Sequence, residues 1–350
     1  MEKYEENQSL NRTPRKRRST GRATITDVAK LAGVGTMTVS RALRTPDQVS
    51  EKLRIRINEA VNELGYIPNK AAGSLASVKS NSIAVILPSF TEKACSEFLI
   101  AFQDVVRTAE YQVFTGYNNF DVEREAELLT AMLENNPAAV VLFGSERLEH
   151  SRKQLEAAKI PVIEVNERIP DAVDLNIGVS HYDAAKAMTL HLVGKGYKNI
   201  GFVGARAEQS VLQQQLSGWQ AGMIESYLTP DHFITTHESP SMQLGRDAMN
   251  RLRLRQPELD ALICSHESIA LGVLFESHKQ VVRVPHVLAV SCLDGSESCE
   301  ECYPSLTSIN VDYTEMGKKA AHLLLARLNG QTLDDDHETL TFTLIARNSS

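Results

Sequence analysis

The stretch Thr24-Ile25-Thr26-Asp27-Val28-Ala29-Lys30-Leu31-Ala32-Gly33-Val34-Gly35-Thr36-Met37-Thr38-Val39-Ser40-Arg41-Ala42-Leu43 decides how the chain is read. Its apolar residues recur at helical spacing. Thr26 is placed to cap a first helix that buries Val28, Ala29 and Ala32, and Gly33 ends it. The three-residue turn Gly33-Val34-Gly35 then leads into a second helix running from Thr36 to about Leu43. Two short helices joined by a tight glycine-containing turn make a helix-turn-helix. Further on, Ser50 is placed to cap a third helix whose Leu53, Ile57, Ala60, Val61 and Leu64 form one apolar stripe able to cover the first two.

Charge separates this region from the rest of the chain. Of 37 Lys and Arg, 15 fall in residues 1–79, with only 8 of the 44 Asp and Glu, so a basic head precedes an acidic body although the whole chain carries -7. That asymmetry points the head at a polyanion. Residues 1–22 hold Arg12, Arg15, Lys16, Arg17, Arg18 and Arg22 with almost nothing apolar to pack. They read as a disordered arm, either a passive leader or an auxiliary phosphate contact. After Gly65-Tyr66-Ile67-Pro68, the segment Asn69 to Ala76 has a single large apolar side chain, Leu75, and is too short to be a stable helix alone in water.

From Ser82 onward, short β-rich runs alternate with longer helical patterns. Strands are expected at 83–87, 112–117, 139–143, 162–165, 199–203, 233–236, 261–264, 287–292 and 305–311, with helices between them. Such alternation implies parallel sheets covered on both faces. Nine or more strands fit two successive doubly wound lobes, the first break falling near 176–181, with a ligand cleft beyond the carboxyl ends of the strands. The expected architecture is a small all-α helix-turn-helix headpiece plus an α/β core of two doubly wound lobes. Its divisions are an arm at 1–22, the headpiece at 23–68, a hinge at 69–80 and the core at 81–350. No apolar run reaches the roughly 18 to 20 residues of a membrane span, and the first 22 residues lack the apolar centre of a signal peptide, so a cytoplasmic protein is expected.

Thr24 to Leu43, with Val49-Ser50, Glu63 to Asn69 and Leu75-Ala76, resembles the DNA-binding headpiece and hinge of the LacI/GalR transcription regulators. The core continues the resemblance at Leu87-Pro88-Ser89, Ala270-Leu271-Gly272, Pro304 to Ile309, Met316-Gly317 and Ala346 to Ser350. Thr36 to Arg41, Gly204-Ala205-Arg206 and Ser145-Glu146-Arg147 look most like the gluconate-utilisation repressors of that family. The resemblance implies a periplasmic-binding-protein-like core and a homodimer that binds a palindromic operator and a sugar or sugar-acid effector. With no heptad extension after Ser350, a coiled-coil tetramer is not expected.

The residues expected at DNA are Thr24, Thr36, Met37, Thr38, Ser40 and Arg41, then Asn69, Ala72 and Leu75 in the hinge. Arg41 has the donors to bind a guanine edge, and Met37 suits a thymine methyl. In the family the equivalent of Leu75 wedges into the minor groove. Gly35 stands where many members have a capping serine, a small loss. Strand ends place Ser89, Phe90, Arg147, Arg168, Gln215, His266 and Asp294 at the effector. Asp294 aligns with the hydroxyl-binding carboxylate of the family's Gly-Phe-Asp motif. His266-Glu267 replaces a usual Asn-Asp, and Gln215 a usual basic residue. Arg147 is therefore the first candidate to pair with a ligand carboxylate. Arg168 and Arg206 have weaker claims and read as solvated.

A sugar-binding protein or sugar-metabolising enzyme of the same two-lobed fold is the competing class, but neither has use for residues 24–76. No dinucleotide, phosphate-loop, nucleophile-elbow or zinc-protease motif is present, so no catalysis and no cofactor are expected. Cys299-Glu300-Glu301-Cys302 has redox or zinc spacing but no second pair nearby, and no metal is expected.

Overall fold

The computed structural model describes residues 23–67, 80–332 and 335–350. The basic arm and the hinge residues Asn69, Ala72 and Leu75 lie outside the described residues. By its contacts the chain divides after Lys79, and the two units are taken separately.

The first unit is three helices, α1 (Ile25–Leu31), α2 (Thr36–Arg44) and α3 (Glu51–Leu64). Their core is Val28, Ala29, Ala32, Val39, Ala42, Ile57 and Ala60, the residues that helical spacing selects. Two capping expectations are corrected. Thr24, not Thr26, is the N-cap of α1, in a capping box with Asp27, whose carboxylate accepts the Thr24 N–H at 2.8 Å. An acid three residues after a threonine satisfies two orphan N–H groups at once, which Thr26 lacks the partner to do. Ser50 stands at the start of α3, but its side chain makes no capping hydrogen bond. Gly33 has φ +61°, the left-handed geometry that turns α1 toward α2, and Arg56 of α3 braces this turn by donating to the Gly33 carbonyl at 3.4 Å.

The second unit holds two six-stranded sheets. The first takes β1 (Ser82–Leu87), β2 (Gln112–Tyr117), β3 (Ala139–Phe143), β4 (Val162–Glu167), β5 (Leu175–Val179) and β11 (His337–Leu340), in the all-parallel order β11-β5-β4-β3-β1-β2. The second takes β6 (Ile200–Gly204), β7 (Phe233–Thr235), β8 (Ala261–Cys264), β9 (Ala289–Cys292), β10 (Thr307–Val311) and β12 (Phe342–Ile345), in the order β12-β10-β9-β8-β6-β7, with β12 antiparallel to β10. Strands β3, β5, β6, β8 and β9 are buried at every residue, as strands covered on both faces must be.

The nine expected strands are present, but the lobes are interleaved rather than successive. Leu175–Val179 is a further strand of the first sheet, and after β10 the chain returns to it with α12 (Tyr313–Leu328) and β11 before β12 rejoins the second. The chain therefore passes between the lobes three times. Alternation alone cannot assign a strand to one of two sheets; hydrogen-bond partners do. The remaining helices are α4 (Lys93–Thr108), α5 (Val122–Leu133), α6 (Glu149–Ala158), α7 (His181–Gly194), α8 (Ser210–Glu225), α9 (Met242–Arg255), α10 (Glu267–Lys279) and α11 (Ser298–Glu301). Among the described residues no helix is long and apolar enough to cross a membrane. The terminal motif has a packing reason: buried Ser349 donates to the Val290 carbonyl at 2.6 Å and accepts from the Thr307 N–H at 2.8 Å, tying the chain end to β9 and β10.

Candidate functional site

In the headpiece, Val39 and Ala42 fix the buried face of α2, and the same helix turns Thr36, Met37, Arg41 and Arg44 outward. Met37 is 75% exposed. A long apolar side chain is therefore left in water at the start of a helix. Thr38 and Ser40 are half-buried at the edge of this face. No acidic residue sits in the first turn of α2, and Arg41 and Arg44 occupy its last, so the outward face is cationic and apolar. Such a face suits phosphates and base edges together. Thr24 serves α1 as its cap.

In the core, each sheet reverses its strand order beside its first strand, β1 lying between β2 and β3 and β6 between β7 and β8. These switch points open a crevice at the carboxyl ends of the strands. Contacts between lobes gather there. Arg206, just after β6, donates to the Glu92 carboxylate at 2.8 Å and lies 3.4 Å above the Phe120 ring, both on the other lobe. Lys93 donates to the Gly295 carbonyl at 3.0 Å, Gln214 of α8 to the Glu167 carboxylate at 2.9 Å, and the Ser210 N–H to Glu146. A cavity of ≈ 270 Å³ lies alongside, lined among others by Phe120, Asn166 and the carboxylates Glu146, Glu167 and Glu208.

Three features mark this crevice as more than packing. Asn119, Phe120, Asn166 and Arg206 are all non-glycine residues at positive φ, between +55° and +84°, and all follow or end strands at the crevice. Strain of this kind costs about 1 to 3 kcal/mol per residue and persists where the surroundings demand it. Asn166 Oδ1, His181 Nε2 and Gln215 Oε1 are buried without a hydrogen-bond partner. Finally, charges are buried here: burial, with Glu92 nearby, pushes the Asp294 carboxyl up to about 6, while burial drives the His266 imidazole down to about 3 and that of His181 to about 4. Both imidazoles are neutral at physiological pH. The Ser265 hydroxyl accepts the Ala205 N–H at 3.3 Å and lies 2.8 Å from His266 Nδ1, a hydrogen bond in which either partner can donate. The crevice thus offers hydroxyl acceptors, neutral donors and one arginine.

Residues 24–69 match the family of bacterial regulatory proteins, lacI family, and residues 189–350 match the periplasmic binding protein-like domain. The HTH-type transcriptional regulator GntR of Escherichia coli (strain K12) is 32% identical over 323 residues, covering 92% of this chain and 97% of that protein. The chain belongs to the LacI family. A PurR family transcriptional regulator from Vibrio parahaemolyticus RIMD 2210633 is 50% identical, with a TM-score of 0.73 over 77% of this chain and 98% of its own. A LacI family regulator from Silicibacter pomeroyi is 30% identical, with a TM-score of 0.87 over 93% and 99%. This LacI-family chain is a transcriptional regulator and not an enzyme. Among the described residues no group of three or more His, Cys, Asp or Glu could hold a metal ion.

The expected effector residues of this LacI-family core scatter. Asp294 and His266 stand at the crevice, and Gln215 is buried with its free Oε1. Ser89 spends its hydroxyl on the Thr91 and Glu92 N–H groups at 3.1 and 3.3 Å, which positions Glu92. Phe90 is 47% exposed and packs on Tyr117, and Arg168 is exposed. Arg147 is corrected outright. Its side chain is 5% exposed, pairs with Glu125 at 3.5 Å and with Glu164, and donates to the Gly144 carbonyl at 3.0 Å. It neutralises buried carboxylates inside the first lobe and has no fork left for a ligand. Arg206, read as solvated, is the arginine that faces the other lobe. The glutamates that claim Arg147 are 17 and 22 residues away in sequence, so no local signal separated the two arginines. Glu92, Phe120 and His181 were missed for the same reason.

Proposed function

We propose that this regulator is a cytoplasmic homodimeric repressor that binds a palindromic operator and responds to a sugar acid, gluconate being the leading ligand, in control of carbohydrate genes. On this reading Thr36, Met37, Thr38, Ser40 and Arg41 read bases in the major groove, with Thr24 at the backbone and Asn69, Ala72 and Leu75 in the minor groove. The observation that carries the effector assignment is the shared position of Phe120, which both lines the acidic cavity and lies beneath Arg206. The carboxylates Glu146 and Glu167, with the unpartnered Asn166 Oδ1, accept from hydroxyls, and the carboxylates repel a ligand carboxylate. A polyhydroxylated acid therefore binds with its hydroxyls along the cavity and its carboxylate at Arg206, in competition with Glu92. Asp294 and His266 flank that end.

Calorimetry on the full chain tests this with gluconate and a neutral polyol of the same length. Arg206→Ala should weaken gluconate by about 10- to 150-fold, the worth of a charge-assisted contact, and barely change the polyol. Equal losses for both ligands would assign Arg206 to lobe closure, and tighter binding of the polyol than of the acid in the parent protein would remove the sugar-acid reading. A gel shift with a palindromic operator, with and without gluconate, tests the repressor half.

A further inference from the structure

Two buried thiols and a partly exposed third gather beside the crevice, and they are not paired as their spacing invites. In Cys299-Glu300-Glu301-Cys302 the second sulfur turns away, donating to the Cys299 and Pro304 carbonyls at 3.5 and 3.4 Å. Cys299 Sγ lies instead 3.8 Å from Cys292 Sγ at the end of β9, with both residues fully buried. The six residues between them, 293–298, carry Asp294 and the Gly295 carbonyl that accepts from Lys93 across the lobes. This loop is held closely, since the Gly295 N–H donates to the Ile309 carbonyl at 2.9 Å and a Cβ on Gly295 would meet Ser308 Oγ at 2.5 Å.

We propose that Cys292 and Cys299 form a reversible disulfide in response to a hydroperoxide, and that this bond resets the Asp294 loop. The disulfide itself is independent of the effector reading above; its consequence for the ligand rests on that reading. Cys299 is the attacking sulfur. Either sulfur can donate in their contact at 3.8 Å, and Arg347 beside Cys299 with the deeper burial of Cys292 favours the thiolate on Cys299. The Cys299 thiolate attacks one peroxide oxygen, the O–O bond breaks, and the departing oxygen takes a proton, leaving a Cys299 sulfenic acid. Cys292 sulfur then attacks Cys299 sulfur, the S–S bond forms, the S–O bond breaks, and hydroxide leaves as water with the Cys292 proton. Two thiols are oxidised and one hydroperoxide is reduced. Access comes through α11, four residues long with no side-chain cap at its start, and through the partly exposed Cys302 beside it, a segment whose local opening is cheap. Closing the sulfurs from 3.8 Å to the about 2.05 Å of a disulfide draws β9 and α11 together and shifts the loop between them.

The test uses the full chain, reduced and then exposed to hydrogen peroxide, with remaining thiols alkylated and peptides mapped by mass. A Cys292–Cys299 disulfide is expected, reversed by dithiothreitol, retained in Cys302→Ser and lost in Cys299→Ser. A Cys299–Cys302 disulfide, sulfinic acid without a disulfide, or unmodified thiols would overturn the proposal. The loop is read without any ligand by the acylation rate of Lys93, which should rise about fivefold on oxidation as its hold on Gly295 loosens; an unchanged rate refutes the coupling. Gluconate affinity should fall by a similar factor. Failure of the reduced protein to bind gluconate at all would count against the effector reading alone, because the mass map and the Lys93 rate still decide this one.

Discussion

Replacing Arg147 by alanine should damage stability and leave ligand recognition nearly untouched. The guanidinium faces two buried carboxylates, Glu125 with a side chain 2% exposed and Glu164 with one 1% exposed. Burial already holds the Glu125 carboxyl above its usual range against the pull of Arg147. Removing one partner of a buried pair costs about 3 to 5 kcal/mol, and here two carboxylates lose it, so the upper part of that range is expected. The sign with pH comes from the carboxylates. Once Arg147 is gone, the folded-state pKa of Glu125 rises further, the native state holds a proton that the unfolded chain releases, and stability falls as pH rises from the ordinary carboxylate range through the raised value. The loss should therefore be largest near neutral pH and shrink as pH falls toward the ordinary carboxylate range, where Glu125 can stay protonated. Urea unfolding of the core transition at fixed protein concentration, at both pH values, measures this. Glu125→Gln and Glu164→Gln added to the variant should restore much of the loss, since neutral amides need no counterion. A variant within about 0.5 kcal/mol of the parent at neutral pH, with gluconate affinity reduced tenfold, would refute the reasoning and return Arg147 to the ligand.

Arg41→Ala should weaken operator binding by about 1 to 3 kcal/mol and relax preference at one position per half-site; an equal loss on every DNA sequence in a gel-shift panel would move Arg41 to the backbone. Asp294, whose carboxyl is raised from 3.8 to about 6, destabilises the fold once ionised, so Asp294→Asn should stabilise by about 1 to 3 kcal/mol at neutral pH, a gain that disappears as pH falls below the unfolded value. Thermal melts across that window check it, and the same variant should lose effector response. Gly218→Ala places a Cβ 2.1 Å from the Tyr182 carbonyl, so α7 and α8 must separate, at a cost of about 1 to 3 kcal/mol seen in denaturation.

The headpiece is legible in sequence because everything that determines it is local. Val28, Ala32, Val39, Ile57 and Ala60 sit within one 33-residue span, their spacing is helical, and the residues left over, Thr36, Met37 and Arg41, necessarily point outward. Alternating strands and helices likewise determine the class of the core, since a run such as Ala139–Phe143 with no polar face must be covered on both sides. What sequence could not decide is which partner a polar side chain finds. Arg147 and Arg206 both follow strands, and only the fold brings Glu164 and Glu125 to the first and carries Glu92 and Phe120 from the other lobe to the second. Cys299 has a neighbour three residues on, yet its sulfur meets Cys292 because β9 ends beneath α11. Apolar periodicity repeats within a single element and is written in order along the chain, whereas charge pairing and ligand geometry depend on distances between elements that only the folded chain sets.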